Sequence, residues 1–342
     1  MMNIMRNKTM QAFLLDRYGK KSRLRLVDVE KPQPREDEVL VEIHAAGVNP
    51  LDAKIRSGEF KRLLPYRMPL ILGHDIAGVV VQVGSRVQQF KLGDAVFARL
   101  DDLHIGGFAE FVAVKESSLA HKPHGITMEE AASIPLVGLT AWQALVGKAA
   151  LRPGQKVFIQ AGAGGVGSFA IQLAKHLGAT VASTASAANA AFVKSLGADV
   201  VIDYRTQQFD DVLHGYDLVL HSQNSQALDA SLRVLRSGGQ LISLSGPPDP
   251  AFGRAIAASR FLKLVIRWLS AGIRAKAKKR GLDYSFLFMQ ASGAQLREIA
   301  ALIEAGAIRP VVDRVFSFEC TPEALAYVEA GHAKGKVVIT LQ

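Results

Sequence analysis

The chain has 342 residues, 49% hydrophobic and 21% charged, with 30 glycines, 13 prolines and a single cysteine, Cys320. That length suits two packed domains, the composition excludes a disordered chain, and one thiol excludes both an internal disulfide and a zinc site built from several cysteines, so a reducing, cytoplasmic setting is expected. The formal charge of +10 raises nucleic acid or an anionic membrane as a partner, but it is concentrated: Arg254, Arg260, Lys263, Arg267, Arg274, Lys276, Lys278, Lys279 and Arg280 stand in 251–280 without one acidic residue, and the remainder is nearly neutral.

Met1 to Lys8 carry Arg6 and Lys8 but lead into no apolar run, so they read as a frayed extension before a strand at Met10–Leu15. No segment approaches the roughly 20 apolar residues that span a bilayer. Short apolar runs follow at Val39–Ile43, Ile76–Val83, Ala95–Ala98 and Phe108–Val114, with turn signals at Gly84–Ser85 and Gly93–Asp94, the pattern of an antiparallel barrel or sandwich. Helical runs at Thr127–Ser133 and Leu139–Lys148 change the texture. Strands at Lys156–Gln160, Thr180–Thr184, Val200–Ile202, Leu218–His221 and Gln240–Ser243 then alternate with helices opening near Gly165 and Asn189, which predicts an α/β doubly wound parallel sheet. The stretch 251–280 reads as a helical excursion with its apolar side on the domain and its basic side in water. Beyond it come a strand at Tyr284–Met289, a helix at Ala294–Ala305, short strands at Val311–Phe318, a helix at Pro322–Ala330 and a last strand at Val337–Leu341, a tail expected to rejoin the first domain. The division expected is 1–133 with 290–342 for the β-rich domain and 134–289 for the parallel sheet.

The run from Val157 through Ala161-Gly162-Ala163-Gly164-Gly165-Val166-Gly167 is an apolar strand entering G-x-G-x-x-G and then an amphipathic helix. Such glycines let backbone approach a pyrophosphate, whose charge meets free N–H groups and the positive helix end. An NAD site carries an acidic residue about 20 positions further on for the ribose 2′-hydroxyl. None occurs between Ala161 and Ala198; the second strand ends in Ser183-Thr184-Ala185-Ser186 with Asn189 behind it. Hydroxyls and an amide tolerate a 2′-phosphate, and Lys194, Arg205 or Lys336 could supply charge, so NADP(H) is the expected cofactor. Thr184 and Ser186 also fit an ordinary strand end and helix cap.

Gly47-Val48-Asn49-Pro50-Leu51-Asp52, Arg56-Ser57-Gly58, Gly73-His74-Asp75 with Gly78, Gly93-Asp94, Leu139-Thr140-Ala141, the glycine loop, Leu196-Gly197-Ala198-Asp199, Asp203-Tyr204, Gly238-Gly239 and Gly335-Lys336-Val337-Val338 fall in order along the chain. Together they resemble the medium-chain dehydrogenase/reductase superfamily, and within it the zinc-free quinone and enone oxidoreductases. The resemblance implies a GroES-like β-rich catalytic domain, a Rossmann NADP(H)-binding domain, an active-site cleft between them, and a homodimer joined at Rossmann edges. It places Gly162, Gly164, Gly165 and Val166 on the pyrophosphate and Thr140 near the nicotinamide. Thr184, Ser186, Asn189, Tyr204 and Lys336 then surround the adenosine end, while Ser245, Phe286 and Phe288 lie along the nicotinamide edge. Asn49 faces nicotinamide and substrate. Where zinc-dependent members hold their catalytic metal, this chain has Asn49, His74 and Leu136, so no zinc is expected; His74 is read as structural, bonded to backbone or to Asp75.

Without a metal to polarise a carbonyl, simple alcohol oxidation loses its electrophile. Hydride transfer from NADPH to a quinone or a conjugated enone or alkenal asks less of the protein. Asn49 is then the candidate to hold developing oxyanion charge, and Tyr66, or solvent, to supply the proton. Two alternatives stand beside this: a zinc-free alcohol or aldehyde reductase, and a nucleotide-binding protein that acts through 251–280 on RNA or a membrane surface.

Overall fold

The computed structural model describes residues 8–256 and 258–341. The extension expected over Met1 to Lys8 lies outside them, Lys8 excepted. The described residues form two compact units, one running to Leu139 and resuming at Gln290, the other Thr140–Met289. The boundary expected at 133/134 thus falls six residues later, inside a helix that starts at Pro135, a residue preorganised for a first helical turn.

In the first unit, β1 (Thr9–Leu15) pairs antiparallel with β2 (Leu24–Glu30) and with the two-residue β4 (Leu70–Ile71). A larger sheet is built on β3 (Glu38–Val48), whose eleven residues pair with β5 (Asp75–Val83), β7 (Phe111–Lys115) and the last strand, β16 (Lys336–Thr340). β6 (Ala95–Arg99) and β8 (Leu119–His121) extend it beyond β5, and β15 (Val312–Ser317) lies parallel beyond β16. Val337 opposite Val48 and Val338 opposite Gly47 bring the tail back beside the start of helix α1 (Pro50–Ser57).

The second unit is a six-stranded, wholly parallel sheet in the order β11-β10-β9-β12-β13-β14. Its strands are β9 (Lys156–Ile159), β10 (Thr180–Ala185), β11 (Val200–Asp203), β12 (Tyr216–His221), β13 (Leu235–Ser243) and β14 (Asp283–Phe286). Strand order reverses between β9 and β12, the switch point at whose carboxyl ends ligands bind in such sheets. Phe158, Ala182, Ile202, Val219 and Leu241 fill one face of its core. The strand expected over Tyr284–Met289 stops at Phe286, and a helix not anticipated, Ser225–Val234, opens where Asn224 Oδ1 accepts from the Ala227 N–H.

Between β13 and β14 the basic stretch forms three helices, Pro250–Ala255, Arg260–Leu269 and Ala271–Lys279. Its apolar side does not simply face the domain. In Arg260–Leu269 only Ile266 is buried, while Phe261, Leu264 and Trp268 are 77%, 64% and 75% exposed.

Candidate active site

The glycine loop follows β9 and runs into helix α2 (Gly165–His176). Ala161 takes a left-handed φ of 55° and donates its N–H to Thr184 Oγ1 at 3.0 Å; Gly162 N–H donates to the Thr184 carbonyl at 2.9 Å. The three glycines of the motif are not equivalent. A Cβ on Gly162 would come 2.3 Å from Ser183 Oγ, and one on Gly167 would come 2.2 Å from the Ala161 carbonyl, so both let helix and strand close together. Gly164 has only the Ala161 carbonyl, 3.4 Å away, near its Cβ position, and no side chain caps the helix that starts after it. First-turn amides have no partner within a helix, so Gly165, Val166 and Gly167 offer N–H groups beside a bare backbone. This arrangement fits a dinucleotide pyrophosphate.

At the end of β10, Thr184 is 6% exposed and its hydroxyl oxygen, which accepts from the Ala161 N–H, holds the loop. Ser186, 8% exposed, stands before helix α3 (Ala187–Ser195) without capping it, and makes no side-chain hydrogen bond. Asn189 Oδ1 is buried without a partner. Tyr204 is exposed, with the Arg205 guanidinium 5.9 Å from its ring centre. Two hydroxyls, the Asn189 amide through its N–H, and the Arg205 guanidinium are donors of the kind a 2′-phosphate needs; no acidic residue occurs between Ala161 and Ala198, while Asp203 stands opposite Ala185 on β11. Thr140 is buried; Ser245 donates its hydroxyl to the Gln223 carbonyl at 2.6 Å. Phe286 and Phe288 both pack on Phe252, with ring centres 5.3 and 5.2 Å apart. His221 anchors the turn after β12: its Nε2–H donates to the Asn224 carbonyl at 3.1 Å and its Nδ1 accepts from Ser243 Oγ at 2.8 Å. Burial holds its pKa below the ordinary imidazole value.

The first unit contains a separate buried polar cluster where β3, β5, β16 and α1 meet. Asn49, Asp52, His74, Asp75 and Lys336 are all at most 6% exposed. Lys336 Nζ donates to Asn49 Oδ1 at 2.5 Å, to the Val48 carbonyl at 3.2 Å and to Asp75 Oδ2 at 3.3 Å. Asn49 Nδ2 donates to Asp75 Oδ2 at 2.9 Å, and Asp75 Oδ1 accepts from the Leu136 N–H at 2.9 Å. Burial pushes the Asp75 carboxyl above the usual carboxylate range, opposed by Lys336, Asn49 and His74. His74 bonds through Nδ1 to Asp52 Oδ1 at 2.6 Å, and Asp52 Oδ2 accepts from the Asn49 N–H at 2.8 Å.

Three expectations change here. The Asn49 amide is spent on Lys336 and Asp75, so it is a positioning group and not a free donor for an oxyanion. Lys336, expected among the residues around the adenosine end, is an internal counter-ion to Asp75 in the first unit. His74 is held by Asp52 and not by Asp75, while its Nε2 is buried with no partner. The Asp52 contact was within reach of sequence: Asn49-Pro50-Leu51-Asp52 is the N-cap, N1, N2 and N3 of a helix, and an acidic N3 reaches back to the N-cap N–H. Tyr66 is 7% exposed and its hydroxyl, which lies near the Leu103 backbone, makes no hydrogen bond of good geometry. Burial, then Asp102, push the phenol pKa well up, so the proton stays on. The donor set does not fit zinc: one imidazole, already tied to Asp52, sits with an amide and an ammonium that would repel the ion.

A parallel sheet with a reversed strand order and an uncapped glycine turn at its first crossover defines a dinucleotide-binding enzyme fold. Residues 35–124 match the alcohol dehydrogenase GroES-like domain and 196–339 match the zinc-binding dehydrogenase family. The chain is 35% identical to the mitochondrial NAD(P)H oxidoreductase RTN4IP1 of Danio rerio, over 98% of this chain and 92% of the relative. It is 36% identical to the chloroplastic NADPH-dependent alkenal/one oxidoreductase of Arabidopsis thaliana, over 97% and 80%. The quinone oxidoreductase from Coxiella burnetii superposes with a TM-score of 0.85 at 30% identity, over 98% of this chain and all of that one. The chain belongs to the medium-chain dehydrogenase/reductase superfamily, among its quinone and enone oxidoreductases.

Proposed function

We propose that this protein reduces quinones or α,β-unsaturated carbonyls with NADPH and without zinc. The observation that carries the cofactor choice is the end of β10, where the Ser186 hydroxyl is unbonded and neither the strand nor the helices on either side of it, from Ala161 to Ala198, carry an acidic residue to repel a 2′-phosphate. The names of the alkenal/one and quinone oxidoreductase relatives support the substrate class. NADPH supplies a hydride when bound; Gly164 and the α2 amides bind its pyrophosphate. A conjugated acceptor that takes the hydride at carbon gathers negative charge on its carbonyl oxygen, and that charge must be met by a donor and then a proton. Tyr66, protonated and with no hydrogen bond of good geometry, is the candidate donor. Asn49, Asp75 and Lys336 act through one another to hold the backbone at the start of α1.

The same reading includes a homodimer, supported by β14 ending the sheet with no strand beyond it among the described residues, and a cytoplasmic setting, supported by the lone thiol. The test is purified protein given NADPH or NADH with a panel of quinones, 2-alkenals and saturated aldehydes. Cofactor oxidation with NADPH and the conjugated acceptors is expected. Turnover of saturated aldehydes alone, or equal use of NADH, would overturn it.

A further inference from the structure

The three most exposed large hydrophobic side chains among the described residues, Phe261, Trp268 and Leu264, all lie on the ten-residue helix Arg260–Leu269. At about 100° per residue they fall within an arc of roughly 60° on the helix surface. Arg260, Lys263 and Arg267 occupy the adjoining arc, and Ile266, on the opposite side, is buried near Gly253 of the preceding helix. The helix is therefore fixed to the protein by one edge and presents an apolar strip bordered by cations.

Those cations are largely unspent. Lys276 pairs with Asp229 at 2.6 Å, and Arg274 and Arg280 reach the carbonyls of Arg267 and Leu232. Arg254, Arg260, Lys263, Arg267, Lys278 and Lys279 make no ion pair among the described residues. A second copy of this chain seated on the same face in a two-fold contact would set these charges against their own duplicates. A nucleic acid would meet the cations but leave Leu264 and Leu269, 64% and 50% exposed, without an apolar environment. An anionic bilayer surface satisfies both, with phosphates for the cations and the acyl boundary for the apolar arc.

We propose that the helix Arg260–Leu269, with Lys278 and Lys279 beside it, docks this protein on anionic phospholipid. The attachment is peripheral: no helix among the described residues is long and apolar enough to cross a membrane. It stands independently of the reductase reading.

The test is flotation of the full-length protein with vesicles of phosphatidylcholine alone or with added phosphatidylglycerol. Binding is expected only to the anionic vesicles and is expected to weaken with salt. A Trp142→Phe background isolates Trp268, whose emission should shift to the blue on binding. Phe261→Ser/Leu264→Ser/Trp268→Ser, which keeps every charge, and Lys263→Gln/Arg267→Gln/Lys278→Gln/Lys279→Gln, which keeps the apolar arc, should each weaken vesicle binding by about tenfold or more. Three results would overturn the proposal: no binding to anionic vesicles, full retention of binding by the serine variant, or a serine variant that dissociates a dimer while vesicle binding is unchanged. RNA retention without vesicle binding would overturn it in favour of a nucleic-acid face.

Discussion

Lys336 and Asn49, 287 positions apart in sequence, meet with the ammonium 2.5 Å from the amide oxygen, inside a cluster that also holds Asp75. Removing the cation from such a buried pair leaves a carboxylate without its counter-ion. Lys336→Met is expected to destabilise the first unit by about 3–5 kcal/mol at neutral pH. The deficit should shrink in acid. Asp75 already has a raised pKa, raised further without Lys336, so the folded variant binds a proton more readily than the unfolded chain and its stability falls as pH rises through that window. Urea unfolding at mildly acidic and at alkaline pH measures both, and Lys336→Met/Asp75→Asn should recover much of the loss.

The glycine loop predicts opposite outcomes for two neighbouring substitutions. Gly164→Ala adds a methyl group into nearly open space and should leave thermal unfolding almost unchanged while raising KM for NADPH, because the new Cβ stands where the pyrophosphate must approach. Gly167→Ala places a Cβ 2.2 Å from the Ala161 carbonyl and should destabilise the second unit by about 1–3 kcal/mol. Equal thermal shifts in the two variants would contradict this division of labour.

This loop was legible in sequence because its parts are local: strand, glycine spacing and helix lie within a dozen residues. The alternation of the parallel sheet was legible for the same reason. The polar cluster was not. Asn49, His74 and Lys336 each stand in a recognisable motif, yet nothing in a linear chain says that the lysine opening the last strand lies against the asparagine that follows the third. That meeting is made by the pairing of Val337 with Val48. The helix Arg260–Leu269 failed differently. Its amphipathic pattern was plain, but periodicity does not say which face the domain covers, and only Ile266 proved to be buried.

Cofactor preference should respond to charge at Ser186. Ser186→Asp restores a carboxylate at the end of β10, where a 2′-hydroxyl welcomes it and a 2′-phosphate is repelled. The kcat/KM ratio for NADPH over NADH is expected to fall by about tenfold or more, on the order of 1.4 kcal/mol of discrimination. A variant with an unchanged ratio would place the adenosine ribose elsewhere.

His221 supplies a pH dependence in the second unit. The ring is fully buried, and its two nitrogens bond to the Asn224 carbonyl and to Ser243 as a neutral imidazole does. Burial lowers its pKa in the folded protein below the value of about 6.5 that it takes when exposed in the unfolded chain. Between these two values the unfolded state binds the extra proton, so stability rises with pH there and is lost as pH falls below about 6.5. His221→Gln keeps a side chain that can donate but cannot titrate. Its unfolding free energy should be lower than that of the parent near neutrality, through imperfect packing, and should change less between pH about 7 and 5. Parallel pH profiles for parent and variant would assign the acid sensitivity to some other group.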